Sequence, residues 1–572
     1  MKLIIKDITS MLDDIVHSFD CIFITEEEYV QYREYFCGSD YIATNKWILR
    51  LVKKKQKDNV ICYIQPISTY LKICCCQQNI TDNSRQYRIE IYNGKELILA
   101  DFDSMILTAI GCRELLKFGC IYHENAANHL LHYLANTAHS TPIKYVHNKL
   151  GWYWKDNVPI FLSSKSITVS DFQSEYVGQL DIAPKGSLDI WLDMVRTEVI
   201  GNTPLTFVML LGFGSMLLGY LNDSFDLGCL VFNLTNTSSK GKTSAAMLAA
   251  SILGSPAFDR GLVATMNSTQ NALIGFVSQA DSHTVVLDEA ATAEKGSFRK
   301  LLYQLCSGRE RMRLNTDGQM KDTHSFNSIV ICTSEFPIID ETATNGIKAR
   351  AFEIHDVLTK SAENADKIKQ CVYANYGQAG IMFAEYVIAN KLDSIMADYR
   401  TSENALHKWY SKKELAKGEL TDRVLSKMAV ILQITDYVNK CFDFGIDVGK
   451  VIDYILALEQ SVSAEIDIAS RALDCVMQYV SRHSNRFIVG NDTIHSSIEG
   501  SIKRKGRYKE ITVLKTVIEE ILADSGFESP RSIYKAWQEK KLIITEKDRP
   551  YKRVRLVSDL PVQPCFIFRI EE

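Results

Sequence analysis

The sequence predicts a multidomain α/β protein, and three observations predict it. An apolar run empties into a small-residue loop ending Gly241-Lys242-Thr243, a second apolar run about 45 residues on ends in Asp288-Glu289, and a basic C-terminal region carries helical stretches followed by strand-like ones. These divide the chain into an α+β N-terminal domain over 1–195, a P-loop core over 196–400, a helical lid and linker over 401–480, and a winged helix over 481–572. At 572 residues and 46% hydrophobic content the chain exceeds one core and fills several, about three or four. That composition excludes a disordered chain.

Residues 231–244, VFNLTNTSSKGKTS, read as a buried strand delivering a phosphate-binding turn to a helix over roughly 243–253. Backbone N–H groups of such a turn point inward at a phosphate, and the helix offers its positive end. The expected nucleotide contacts are Asn236, Ser238, Ser239, Lys240, Gly241, Lys242, Thr243 and Ser244, with Lys242 on the β- and γ-phosphates and the Thr243 hydroxyl on Mg²⁺. The motif G-x-x-x-x-G-K-[ST] has glycine where this chain has Asn236, and asparagine is the substitute that best tolerates positive φ. The competing reading is a Gly-Lys-Thr that only caps a helix.

A P-loop needs a partner acid, which residues 284–289, TVVLDE, supply. An apolar strand ending in two carboxylates puts Asp288 near the Mg²⁺ shell and Glu289 where it can orient and deprotonate a water. The next strand, 327–332, stops at Thr333-Ser334, either of which can sense the γ-phosphate; spacing does not choose between them, and an N-cap role competes. Arg350 precedes a short apolar strand, where it would reach the nucleotide of a neighbouring subunit, against a plain surface salt bridge. The Asp317-Gly318 turn signal in 311–321 predicts a β-hairpin presenting Arg313, Gln319 and Lys321 to DNA in a central channel, or a hairpin with no DNA role. Downstream, 420–441 has helical periodicity and presents Arg423 as a second nucleotide-sensing arginine.

The net charge of −4 excludes a uniformly basic nucleic-acid binder but hides a patch. Residues 482–555 hold 17 Lys and Arg against 10 Asp and Glu. Within them 510–523 reads as an amphipathic helix, Ser529-Pro530 starts a second helix to about 540, and the strand 542–544 and a basic hairpin at 549–555 follow. Two helices, a turn and a basic wing describe a winged helix, with Arg531, Lys535, Lys540, Lys541, Lys552 and Arg553 toward DNA, or toward a protein partner.

Fifteen cysteines are scattered without C-x-x-C, so they read as buried thiols of a reducing cytoplasm; Cys112, Cys120 and His123 lack a fourth zinc ligand. No signal peptide is expected, because the N-terminus meets acidic residues before any long apolar run. The stretch 206–221 falls below the length of a membrane span, about 18 residues or more, and its glycines suit a buried helix leading into the P-loop strand. In the front region, strands are expected at 87–92 and 96–100, and Asp101 and Asp103 invite a metal-holding reading, but no companion His or acid supports them beyond a solvated strand end.

With these residues in place the central region resembles the family called domain of unknown function 927, in the order TSSKGKTSAAMLAASILGSP (237–256), VATMNSTQNAL (263–273), VVLDEA (285–290) and RVLSKMAVIL (423–432), over roughly 152–441. The first 60 residues carry no such resemblance. The layout is similar to the MCM-like AAA+ self-loading replicative helicases of mobile elements, the Cch type. That resemblance implies an AAA+ core with helical lid, ATP and Mg²⁺ as cofactors, and a homohexameric ring in the cytoplasm. Its members would translocate on or unwind DNA, single-stranded in the channel and duplex at the winged helix, without a membrane. Two rivals stand beside it: an ATP-controlled DNA-binding initiator or regulator without unwinding, and an ATPase whose winged helix contacts protein.

Overall fold

The structure is a computed structural model that describes all residues except 1, 38, 58, 237–240, 259, 290–294, 311–324, 336, 340–344, 467, 490–496, 507, 526, 528–529, 547–548, 558–560 and 572. Contacts divide the chain into two compact units, Met1–Gln179 and Leu180–Glu572.

The first unit is α+β. Long antiparallel strands Trp47–Gln56 and Asn59–Thr69 form a four-stranded sheet with Ile22–Ile24 and Tyr41–Ala43. In a second sheet Leu71–Asn79 pairs antiparallel with Arg85–Tyr92 on one side and parallel with Ile143–His147 on the other. The period-2 burial of these strands, Leu71, Ile73 and then Tyr87, Ile89, Ile91 inward, is why they read as half-buried strands. Leu97–Asp103 extends the strand expected at 96–100 through both aspartates. Asp101 is held bidentate by Arg88, at 2.8 Å for each bond, and Asp103 accepts the N–H of Met105 at 2.6 Å to cap a short turn. Both carboxylates are structural, and no group of three metal-ligating side chains occurs among the described residues.

The second unit begins earlier than residue 196. Asp181 N–H donates to Arg260 O at 2.7 Å, and the buried Trp191 donates its indole N–H to Ser251 Oγ at 3.0 Å, so 180–195 pack with the P-loop helix. At its centre is a five-stranded, all-parallel sheet: Leu230–Thr235, Val263–Thr265, Val285–Asp288, Ile329–Ser334 and Ala351–Ile354, lying side by side in the order second, third, fourth, first, fifth. All four residues of Val285–Asp288 and all six of Leu230–Thr235 are buried, as strands covered on both faces must be.

The apolar helix Thr203–Phe225 is capped by Asn202, whose side chain accepts Leu205 N–H at 3.3 Å, has Pro in its first turn and ends at Asp226 in a left-handed conformation. By length and composition it could cross a membrane, but 83% of its most apolar window is buried inside the protein. A Cβ on Gly212 would meet Ile252 and the Ala249 carbonyl, so glycine lets the P-loop helix approach. Helices Ala362–Ala374, Gln378–Asn390, Ile395–Lys412, Thr421–Phe442 and Val448–Ile466 follow, so the helical block starts well before 401.

The last domain also starts earlier than expected. Helix Ile468–Arg482 contributes Ala469, Ala472, Val476 and Val480 to the core formed with Ile518, Trp537 and Phe566. Residues 510–514 are strand rather than helix: Tyr508–Leu514 lies between Gly500–Lys505 and Gln563–Glu571, and only Lys515–Asp524 is helical. The run Ile511-Thr512-Val513 is β-branched throughout, and stiff χ1 angles favour the pleat. The second helix is Pro530–Glu539, and Lys552–Val554 pairs with Gln563–Glu571 as the wing.

Candidate functional site

Parallel strands share one direction, so the sheet has a carboxyl edge and an amino edge, and ligands of such sheets sit at the carboxyl edge. There the first strand hands over to Asn236, and Gly241, left-handed at φ 81, starts the helix Lys242–Ala250. Lys242 Nζ donates to the Asn236 carbonyl. Asn236 is not among the positive-φ residues; instead its amide donates to the carbonyls of His355 and Asp356, both at 3.1 Å. Asparagine thus substitutes for the motif glycine as a clamp on the segment leaving the fifth strand. Thr243 and Ser244 lie in the first turn of the helix, whereas Ser238, Ser239 and Lys240 fall outside the described residues.

Asp288, 7% exposed, ends the third strand at the same edge. Thr333 Oγ1 donates to its carboxylate and accepts the Glu289 N–H at 3.0 Å. Glu289 is exposed and has φ 60, a left-handed conformation that costs a non-glycine residue about 1 kcal/mol or more and that clusters at working sites. Ser334 points elsewhere: its hydroxyl and Asn233 are joined at 2.8 Å, and Asn233 donates to Glu353 at 2.6 Å. Glu353 also accepts the N–H groups of Ile338 and Ile339 at 2.7 and 3.0 Å. Of the two sensor candidates, Thr333 is the one brought to the acids, while Ser334 belongs to a buried polar knot between strands.

Three residues near the loop carry no sequence signal. Thr359 lies where a Cβ on Gly241 would be. Tyr454 donates to Asp356 at 2.6 Å, and its phenol is pushed up by burial and then by that carboxylate. Burial, then the charge of Asp288, raises the Tyr373 phenol. Each comes from the helical block or the segment leading to it, far along the chain, so only the fold gathers them.

Arg350 stands at the opposite edge. Its carbonyl accepts Val231 N–H at 2.8 Å at the start of the first strand, and the five residues from there to Asn236 span about 17 Å, beyond the reach of a side chain. Its guanidinium lies over Gly228, at 3.4 Å from Leu227 O and 3.9 Å from Asp226. Arg350 therefore does not serve its own P-loop. Arg423 is exposed near the start of the helix Thr421–Phe442, and its charge, like that of Arg350, lowers the pKa of the buried Lys427 one helical turn along.

Arg313, Gln319 and Lys321 lie outside the described residues, but their flanks pair antiparallel at Arg309 and Ser325. In the last domain Arg531 and Lys535 occupy the exposed face of Pro530–Glu539, whose other face buries Ile533, Tyr534 and Trp537. Lys540 and Lys541 follow that helix, and Lys552 and Arg553 lie on the wing strand.

Fold and edge geometry define a multidomain α/β protein with a C-terminal helix-turn-helix domain. Residues 42–325 match the family described as "Domain of unknown function (DUF927)", and 467–571 match the one described as "Cch helix turn helix domain". The chain thus carries one region similar to each of these two families. The first match starts at 42 and stops at 325, so it reaches into the first unit and leaves out the 423–432 segment. Among solved structures the chain resembles one described as "SCCmec type IV Cch - active helicase", at 21% identity and TM-score 0.72, over 93% of this chain and 97% of that one. This likeness is one of fold. No curated protein matches by sequence.

Proposed function

We propose that the protein is an ATP-driven DNA helicase or translocase with an AAA+ core, acting as a homohexameric ring in the replication of a mobile element. The observation that carries the reading is the division of the sheet into two edges. Lys242, Thr243, Asp288, Glu289 and Thr333 gather at one, and Arg350 stands at the other, out of reach of its own P-loop. A catalytic set split in this way is complete only when a second subunit supplies the missing cation.

The residues present fit ATP and Mg²⁺. A helix N-terminus and a lysine ammonium suit phosphates, and a buried carboxylate beside a threonine hydroxyl offers the hard oxygen donors Mg²⁺ takes. Lys242 and the loop would bind the phosphates, while Thr243 and Asp288 would hold the ion, which supplies charge neutralisation at the transferred phosphoryl group. Glu289 takes a proton from the attacking water at its carboxylate. Thr333 fixes the backbone of Glu289 and the carboxylate of Asp288, so that both acids keep one geometry. The winged helix offers Arg531, Lys535, Lys540, Lys541, Lys552 and Arg553 to duplex DNA, and the 311–321 segment offers Arg313, Gln319 and Lys321 to a single strand.

The test is ATP turnover and forked-duplex unwinding by the full chain, with Lys242→Ala as control. Turnover that rises with single-stranded DNA and accompanies strand separation is expected. Turnover indifferent to DNA, with no unwinding, supports the ATP-controlled initiator instead.

A further inference from the structure

We propose that the hairpin 500–514 is a second wing of the last domain, with Lys503, Arg504 and Lys505 on the phosphates of duplex DNA beyond the end of the helix Pro530–Glu539. This rests on the reading of that domain as a duplex binder and adds a contact surface at the far end of its sheet. The sequence 503–509, KRKGRYK, holds five Lys and Arg in seven residues and no acid. Gly506, at φ 64 with open space where a Cβ would be, lets the strands Gly500–Lys505 and Tyr508–Leu514 turn back on each other. Arg507 lies outside the described residues. The packed part of the hairpin ends at Ile502 and Ile511, and past it Lys503, Arg504 and Lys505 are exposed.

The register carries this charge across the sheet. Lys503 pairs with Glu510 and Arg504 with Lys509; Glu510 pairs in turn with Arg569, and Lys509 with Ile570. On its other side Arg569 donates its backbone N–H to Leu542 O at 3.3 Å, directly after Lys540 and Lys541. A basic band thus runs from the helix end to the hairpin tip over three strand spacings, about 14 Å. Within it, among the described side chains, the carboxylate is Glu510, which holds Lys505 at 2.8 Å and Arg569 at 3.6 Å. At the helix end Glu539 holds Lys535 at 3.7 Å. Arg504 directly across from Lys509 is a like-charge pair, which weakens a hairpin rather than building one. A surface that gathers cations at a cost to its own fold suits a polyanion. The wing strand Lys552–Val554 pairs with 563–565 and the hairpin tip with 569–571, so the two basic hairpins stand about 20 Å apart along one strand. Tyr508, the one aromatic residue of the hairpin, is covered by the Arg569 guanidinium at 4.5 Å. The tip therefore offers charge without a base-stacking platform, which favours the duplex backbone over an unstacked single strand.

Duplex binding by the full-length chain without nucleotide, followed by fluorescence anisotropy over a range of salt, tests this. Lys503→Gln, Arg504→Gln and Lys505→Gln together should lower duplex affinity at least about tenfold near 0.1 M salt and flatten the slope of log affinity against log salt by about two to three. Lys369→Gln, Lys408→Gln and Lys412→Gln together remove the same charge from exposed positions of the helical block and should leave that slope unchanged. A hairpin variant with the slope and affinity of the unchanged protein overturns the proposal, and so does an equal change in the helical-block variant, which reports net charge rather than contact. A loss confined to single-stranded oligonucleotide, or to the assembly state in sedimentation, assigns the hairpin to another partner and overturns it as well. If the triple variant melts early, Lys503→Gln alone takes its place, with a slope change of about one expected. A full-length chain that binds no duplex removes the duplex reading of the domain together with this proposal, whereas intact binding with an unaltered slope removes the proposal alone.

Discussion

At concentrations too low for assembly, Lys427→Met is expected to make the second unit harder to unfold. The ammonium's pKa falls from 10.5 to about 8 on folding, and this fall of about 2.5 at about 1.4 kcal/mol per pH unit gives an upper bound near 3.5 kcal/mol for the destabilisation that the charge imposes. A folded pKa below the unfolded one means that the unfolded chain binds more protons between these values, so the penalty is full below about pH 8 and fades as pH rises toward 10.5. Methionine fills a similar volume without charge. Urea unfolding followed by tryptophan fluorescence should show the variant ahead by as much as about 3.3 kcal/mol near pH 7 and by about 1.4 kcal/mol near pH 9.5. A variant less stable than the unchanged protein, or a gap that ignores pH, would refute the reasoning.

Lys242→Ala should abolish binding of a fluorescent ATP analogue while leaving the melting temperature within a degree or two, because its only described bond is to the Asn236 carbonyl. Glu353→Ala removes the acceptor of Asn233 and of two backbone N–H groups inside the sheet; a loss of about 3 kcal/mol or more is expected in urea, and less than 1 kcal/mol would contradict the buried knot. Trp537 is buried and bonded to Ala469 O at 2.8 Å, so Trp537→Ala should cost about 3–5 kcal/mol and unfold the last domain first, read by limited proteolysis. Arg531 and Lys535 changed together to alanine should weaken duplex binding and flatten its dependence on log salt by about two counterions; an unchanged slope would point to a protein-binding face.

The core was legible because strands buried on both faces appear as unbroken apolar runs, and where each run ends its first polar residues mark the carboxyl edge. Asp288 and Glu289 follow from that alone, whereas Thr333 is told from Ser334 only by its hydrogen bonds to the two acids. Arg423 does not: periodicity assigns it a helix face, but only the packed fold says which edge of the sheet that helix end approaches. Lys427 was invisible for the same reason, being one lysine in an otherwise apolar face. The stretch 510–514 misled because an alternating β-branched run adjoins a true helix and the boundary carries no breaker. The onset of positive charge at 482 points to a domain start there, whereas the core of that domain begins with the apolar face of the helix before it.

The helix Thr203–Phe225 has a consequence for synthesis. A Cβ on Gly214 would meet Ile329 and approach Ile431 and Ile434, and Ser215 Oγ accepts the N–H of Ile329 at 2.8 Å. The last of these partners leaves the ribosome some 220 residues after the helix, a wait of about 10–45 s at usual elongation rates. For that interval a 23-residue segment of mean hydropathy 1.7 over its most apolar window lacks the surface that later hides it. The nascent chain is therefore open, before any nucleotide can matter, to aggregation, to chaperone capture and to the machinery that inserts membrane spans.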